Sequence, residues 1–200
     1  MLKTLLLGAA VVIGYGPMAQ AAYTVTLAQV GSNVVATGSG SLDLAGLSFL
    51  ESGPLSAEID PSNAFIITGS SSFEPSDVYG GITGPTSFGS GFNTPASSGS
   101  GDTVGINNLT ANALFVPSGY VSGAALSDTS TYDNATFASL GVTPGTYTWT
   151  WGATTPGAVP LDDTFTLVIP AAAVPEPASL ALLCAGLVGL GVLHRRRKPV

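Results

Sequence analysis

The chain has 200 residues, of which 45% are hydrophobic and only 8% are charged, and its formal net charge at pH 7 is −7. The body between residues 23 and 174 contains eleven of the twelve acidic residues and none of the five basic ones, and both the single His194 and the single Cys184 lie after it. This composition excludes phosphate and nucleic-acid binding by the body, and it also excludes a Schiff-base lysine, an imidazole base, a thiolate nucleophile and an internal disulfide there.

The first 22 residues have the three parts of a secretory signal peptide. Lys3 supplies the positive charge, an apolar stretch follows it, and Ala19 and Ala21 are the small residues that precede a cleavage site. A buried helix is the alternative interpretation, but the glycines and the proline inside this stretch would break such a helix. The sequence therefore predicts a signal peptide over residues 1–22 and an exported acidic domain over residues 23–170.

Alternating apolar and small polar residues predict β-strands in the first part of the body. Residues 23–50 are expected to form a hairpin that turns at "GSN", residues 31–33, and continues into a third strand. The apolar run at residues 64–68 predicts another short strand. Residues 69–102 are rich in Gly, Ser and Pro, so we expect mainly loop there, with the aromatic side chains of the stretch packing it onto the domain.

Strand patterns resume after this stretch, near residues 104–109, 113–116 and 120–125. Pro144 and Gly145 fit the two central positions of a type II turn. The last strand, "TFTLVI", places Phe165, Leu167 and Ile169 on one face. Since no helical periodicity of useful length is found, the fold class is expected to be mostly β, a single antiparallel β-sandwich-like domain.

The segment "TYTWTW" offers the first candidate ligand site. Its alternation places Tyr147, Trp149 and Trp151 on one face of a strand and three threonines on the other. Three aligned rings could form a platform for carbohydrate contact, but large aromatic side chains in a strand more often belong to a core. The core interpretation is the stronger one.

Paired carboxylates offer the second candidate site. Asp162 and Asp163 precede the last strand, and a glycosidase uses two carboxyl groups facing one groove. Neighbouring residues of an extended chain point to opposite faces, so a turn is the stronger interpretation. The body has no Asp-rich calcium loop, and the sequence predicts no metal site, cofactor or catalytic residue.

The C-terminal segment, residues 171–200, is unlike the body. Residues 178–193 are uncharged and mainly apolar, and as a helix they would span about 24 Å, somewhat less than a bilayer core. A basic tail follows: Arg195, Arg196, Arg197 and Lys198. Basic side chains can extend the span and hold the C-terminus in the cytoplasm, whereas a soluble core helix would need an amphipathic stripe. We therefore predict a transmembrane helix with the body outside the cytoplasmic membrane.

Pro175, Glu176 and Pro177 stand directly before this apolar run. The order of Pro-Glu-Pro, apolar helix and arginine cluster resembles the PEP-CTERM sorting signal of Gram-negative bacteria. The resemblance implies sorting by an exosortase, a membrane transpeptidase-like enzyme thought to cut near the motif, and delivery to the cell surface or extracellular matrix. The two prolines would keep the motif extended, which suits presentation to a protease cleft.

These observations together predict a non-enzymatic surface or matrix protein. Its expected role is structural or adhesive, within an exopolysaccharide or biofilm layer. The expected partners are the exosortase, the membrane through the C-terminal helix, and exopolysaccharide, but not nucleic acid. The alternatives are a carbohydrate-binding module and a carbohydrate-active enzyme that uses a carboxylate pair.

Overall fold

The computed structural model describes residues 22–108, 112–152 and 163–171. A compact unit ends at Pro170. Among the described residues, none of the helices is long and apolar enough to cross a membrane. The predicted span at 178–193 lies outside the described part of the chain, as do these predicted site residues: Ala19, Ala21, Pro175, Glu176, Pro177, Arg195, Arg196, Arg197 and Lys198.

The described residues form two β-sheets. In chain order the strands are β1 (Ala22–Val30), β2 (Asn33–Gly40), β3 (Ser48–Leu55), β4 (Glu58–Asp60), β5 (Phe65–Thr68), β6 (Glu74–Gly80), β7 (Thr94–Pro95), β8 (Ser98–Gly101), β9 (Val104–Asn107), β10 (Ala113–Pro117), β11 (Leu126–Tyr132), β12 (Gly145–Trp151) and β13 (Asp163–Ile169). The first sheet has the strand order β12-β13-β1-β2-β11-β8, and the second has β3-β6-β10-β9-β5-β4-β7. A 3₁₀ turn (Pro61–Asn63) and the short helix α1 (Phe137–Leu140) lie between strands. The predicted mostly β fold class is confirmed.

The predicted N-terminal hairpin is present. β1 pairs antiparallel with β2 from Tyr23 opposite Gly40 to Val30 opposite Asn33. Gly31 in the turn has a φ of 60°, a conformation that glycine adopts without steric cost. The "GSN" signal therefore identified this turn correctly.

The first sheet is not purely antiparallel as predicted. β1 and β13 pair in parallel, with Ala22 opposite Thr164 and Thr26 opposite Val168. These strands come from the two ends of the body, so no tight turn forces them to run in opposite directions. The expectation of an antiparallel sandwich is wrong at this pair.

Two further predictions along the chain need correction. Residues 69–102 are mainly outside strands, as predicted, but they also contain β6, β7 and β8, because partner strands supply backbone hydrogen bonds that the Gly and Pro content does not indicate. Residues 120–125 form turns, and the strand begins at Leu126. These turns are held by the Tyr120 hydroxyl, which donates to Ala124 O at 2.7 Å and accepts from Leu42 N at 2.9 Å.

The inward faces of both sheets share one hydrophobic core. Its members alternate along their strands with outward side chains, as expected for a sandwich. They include Tyr23, Val25, Leu27, Ile59, Ile66, Ile106, Leu114, Phe165, Leu167 and Ile169. A smaller cluster of Phe65, Ile67, Val78, Ala113 and Phe115 lies on the opposite face of the second sheet.

The connection from β11 to β12 passes through α1. Thr136 and Ser139 form a reciprocal capping box at its start, and Gly141 ends it with a φ of 66°. Gly145 does not have a positive φ, so the predicted type II turn, which needs one at that position, is not formed.

Candidate functional site

The aromatic residues predicted as a carbohydrate platform belong to the core. Trp149 and Trp151 are only 2% and 5% exposed, and Tyr147 is half-buried against the same core. The indole N–H groups donate to Pro85 O at 3.0 Å and Asp43 O at 2.7 Å, respectively. The core interpretation is confirmed, and the platform interpretation is wrong because the ring faces are covered.

One buried carboxylate lies between the sheets. Asp128 projects inward from β11, is 4% exposed, and accepts a hydrogen bond from the Tyr23 hydroxyl. A Cβ atom at Gly38 would overlap that hydroxyl and stand 2.6 Å from Asp128 Oδ1, so glycine leaves the room that this pair occupies. Burial raises the pKa of Asp128 to about 6, although the Tyr23 hydrogen bond acts in the opposite direction.

A second buried carboxylate begins β13. Asp163 accepts from Asp43 N at 2.5 Å and from Thr164 N at 2.6 Å. Burial raises its pKa to about 6 against these two hydrogen bonds. Asp162, its predicted partner, lies outside the described residues.

The two buried carboxylates do not form a glycosidase pair. β11 and β13 are three strand positions apart in the first sheet, which corresponds to about 14 Å. Glycosidase carboxyl groups are separated by roughly 5–9.5 Å. No cluster of three or more His, Cys, Asp or Glu side chains that could hold a metal is found within residues 22–108, 112–152 and 163–171.

The outward face of the first sheet carries hydroxyl side chains on all six strands, and we call it the hydroxyl face. One row of neighbouring outward residues crosses the whole sheet: Thr146, Val168, Thr26, Thr37, Thr129 and Ser100. The adjacent row is Thr148, Thr166, Thr24, Ser39 and Ser127. Strand pairing therefore arranges residues that are far apart in sequence into two parallel rows.

The hydroxyl face bears no charged side chain at the outward strand positions of these rows. The remaining outward hydroxyl residues are Thr131 beside Ser98, and Thr150 beside Thr164. Asp102 stands at the rim, where its carboxylate accepts from Ser127 N at 2.8 Å. The body carries eleven carboxylates and no lysine or arginine. The two rows of the hydroxyl face contain none of these carboxylates, so this part of the surface is neutral.

Most of these hydroxyls are available to a ligand. Within the described residues, the side-chain hydrogen bonds along the two rows are Thr148 with Thr166 at 3.4 Å and Ser100 with Thr129 at 3.2 Å. Thr37 and Ser39 are exposed, whereas Thr26 is half-buried between its neighbours. Sequence reasoning identified only the threonines of β12, because the other strands join the face through long-range pairing.

The last strand leads towards the predicted sorting motif. β13 ends at Ile169, which lies opposite Gly145 at the start of β12. In the sequence, five residues separate Ile169 from Pro175. Because β1 and β13 are parallel, the C-terminal end of β13 lies at the same end of the strands as the β1–β2 turn. Ala22 lies at the opposite end of the strands.

Comparison with known proteins finds one match. Residues 173–198 match the family model described as the PEP-CTERM protein-sorting motif. No curated protein and no solved structure matches the chain. The chain is therefore a protein with a PEP-CTERM sorting segment, which indicates export and sorting to the cell surface by an exosortase.

Proposed function

We propose that the β-sandwich body is a structural or adhesive component of the cell surface or extracellular matrix, within an exopolysaccharide layer. The observation that carries this proposal is the sorting motif at residues 173–198, which follows the last strand of the sandwich after a very short connection. The exosortase would thereby place a folded domain, rather than a peptide, at the surface.

The composition of the body suits an extracellular structural role. Its eleven carboxylates lack internal cations, so they favour solubility and disfavour association with other acidic surfaces. Among the strands that the structure describes, three of the four at sheet edges have features that limit strand addition. Pro54 and a bulge interrupt β3, Pro95 lies in β7, and Thr83 pairs with Thr150 across the free side of β12. These features support a domain that stays folded as separate copies at high local concentration.

Membrane attachment through residues 178–193 belongs to the same proposal. The apolar run would hold the precursor in the membrane, with Arg195, Arg196, Arg197 and Lys198 on the cytoplasmic side. Signal cleavage just after the small residues Ala19 and Ala21 would leave the mature chain beginning near Ala22, the first residue of β1, which pairs with β13. The carbohydrate-active enzyme alternative gains no support from Asp128 and Asp163, which are too far apart to act as a pair.

The sorting part of the proposal is tested by changing the motif in the native host. The triple variant Pro175→Ala, Glu176→Ala, Pro177→Ala should accumulate in the membrane fraction with its basic tail still attached. A matched variant with Ala171 and Ala172 changed to serine, both outside the matched segment, should be processed like the wild type. Normal processing of the motif variant would contradict exosortase sorting.

The structural role is tested with a deletion strain. Loss of the gene should weaken the cohesion of the exopolysaccharide layer, measured by the shear needed to detach a biofilm. The wild-type gene should restore cohesion, and the motif variant should not. An unchanged detachment threshold in the deletion strain would contradict the structural or adhesive role and leave the sorting result intact.

A further inference from the structure

We infer that the hydroxyl face of the first sheet is a binding surface for an extended, uncharged polysaccharide. This inference rests on the proposed function, since it supplies the adhesive contact that a matrix protein needs. It names a ligand class and a site, neither of which follows from the sorting motif.

The spacing of the face suits a long polymer. Adjacent strands lie about 4.8 Å apart, and alternate residues along a strand lie about 6.6 Å apart. The row from Thr146 to Ser100 crosses six strands and therefore extends about 24 Å. A polysaccharide chain lying along this row would meet a hydroxyl or methyl group at every strand, and a second row runs beside it.

The chemistry of the side chains suits sugars. A threonine hydroxyl both donates and accepts hydrogen bonds, as the hydroxyl groups of a sugar do. The threonine methyl groups, together with Val168 and Val35, offer apolar contacts for the C–H surfaces of sugar rings. Thr26 and Thr37 lie side by side at the centre of the face and have no side-chain hydrogen bond within the described residues.

The charge distribution selects an uncharged ligand. The body carries eleven carboxylates and no lysine or arginine, so an anionic polymer would be repelled as it approached. The outward strand positions of the two rows carry no charge. A neutral polymer can therefore cover this surface and displace its water without burying a carboxylate.

The same geometry predicts dependence on chain length. Trp149 and Trp151 are buried, so the strong ring stacking of typical sugar sites does not contribute. Each hydrogen bond between a threonine hydroxyl and a sugar replaces one to water, so a single bond adds little affinity. A long chain makes many such bonds at once and gains affinity through multivalency. Long polymers should therefore bind, and short oligosaccharides should compete poorly.

The test uses the full chain purified in detergent micelles, so that binding can be measured independently of exosortase processing. The probes are regenerated cellulose as a neutral extended polymer, cellohexaose as a short competitor, and alginate coupled covalently to agarose, free of divalent cations, as an anionic polymer. The test variant is Thr26→Val, Thr37→Val, Thr129→Val, which keeps the branched shape of each side chain and removes the hydroxyl. The matched control is Thr86→Val, Thr94→Val, Thr143→Val, which changes three threonines outside the face.

The wild type and the matched control should bind cellulose, and any retention on alginate through the basic tail should be the same for all three proteins. The test variant should bind cellulose at least ten-fold more weakly, while its thermal unfolding stays close to that of the wild type. Equal binding to cellulose by the test variant and the control would overturn the inference, as would weaker alginate binding by the test variant than by the control, or no binding of the wild type to cellulose. Because sorting is measured separately in the host, failure here would leave the PEP-CTERM function standing.

Discussion

The buried Asp128 predicts that the body becomes less stable as pH rises from 4 to 7. Its folded-state pKa of about 6 exceeds the ordinary value of 3.8, because burial penalises the charged form. The folded state therefore binds more protons than the unfolded state between these two values, and its stability falls with increasing pH. The shift of about two pKa units corresponds to about 3 kcal/mol.

The assay is urea unfolding of the processed protein between pH 4.5 and 7.5, compared with Asp128→Asn. Asparagine keeps the size of the side chain and an acceptor for the Tyr23 hydroxyl, and it cannot ionise. The wild type should lose about 2 kcal/mol more than the variant between pH 4.5 and 7.5, or roughly 4–8 °C in Tm. Asp163, whose pKa is also raised by burial, acts in the same direction in both proteins.

Asp133→Asn is the matched control, because this carboxylate is exposed. It should leave the pH dependence as in the wild type. A hydrogen bond from Ser52 lowers the pKa of Asp77. Asp77 therefore adds stability as pH rises, opposite to Asp128, but it does so only in more acidic solutions. Parallel curves for the wild type and Asp128→Asn would refute the reasoning.

Three further substitutions test the packing of the sandwich by urea unfolding. Gly38→Ala should destabilise by about 1–3 kcal/mol because its methyl group would overlap a buried hydroxyl and carboxylate, whereas Gly53→Ala, with open space around it, should have little effect. Trp149→Ala should cost about 3–5 kcal/mol, and Phe92→Ala, which removes a side chain that is 81% exposed, should cost less than about 0.5 kcal/mol. Ser130→Ala should cost about 1–3 kcal/mol, because the Ser130 hydroxyl accepts a hydrogen bond from Gly69 N and donates one to Gly69 O. These bonds connect β11 of the first sheet to the residue that follows β5 of the second. The described packing would be contradicted if Gly38→Ala were as stable as Gly53→Ala, or Trp149→Ala as stable as Phe92→Ala. An unchanged free energy of unfolding for Ser130→Ala would contradict it as well.

Local patterns predicted the strands whose alternation is regular. In β12 and β13 every second side chain is apolar, and the structure buries the predicted face, including Phe165 and Leu167. The Gly/Ser stretch around β8 carries no such pattern, because Gly99 and Gly101 face inward and contribute no apolar side chain. Strands of this kind are specified by their partners rather than by their own composition.

Long-range pairing also explains which parts of the site were missed. The parallel neighbours β1 and β13 are separated by more than a hundred residues, and no local rule connects them. The hydroxyl face is assembled from six such strands, so the sequence indicated only the three threonines opposite the rings of β12. The sorting motif was predictable because its parts are contiguous, and the family model confirms it at residues 173–198.

The intact mass of the protein recovered from its own host, measured separately for membranes and for culture medium, tests exosortase sorting most directly. Tryptic peptide mapping is uninformative here because no lysine or arginine occurs between residues 4 and 194. Exosortase sorting predicts a species that begins near Tyr23 and ends near Pro175 to Pro177. A surface or medium species that still carries Arg195 to Val200 would contradict it.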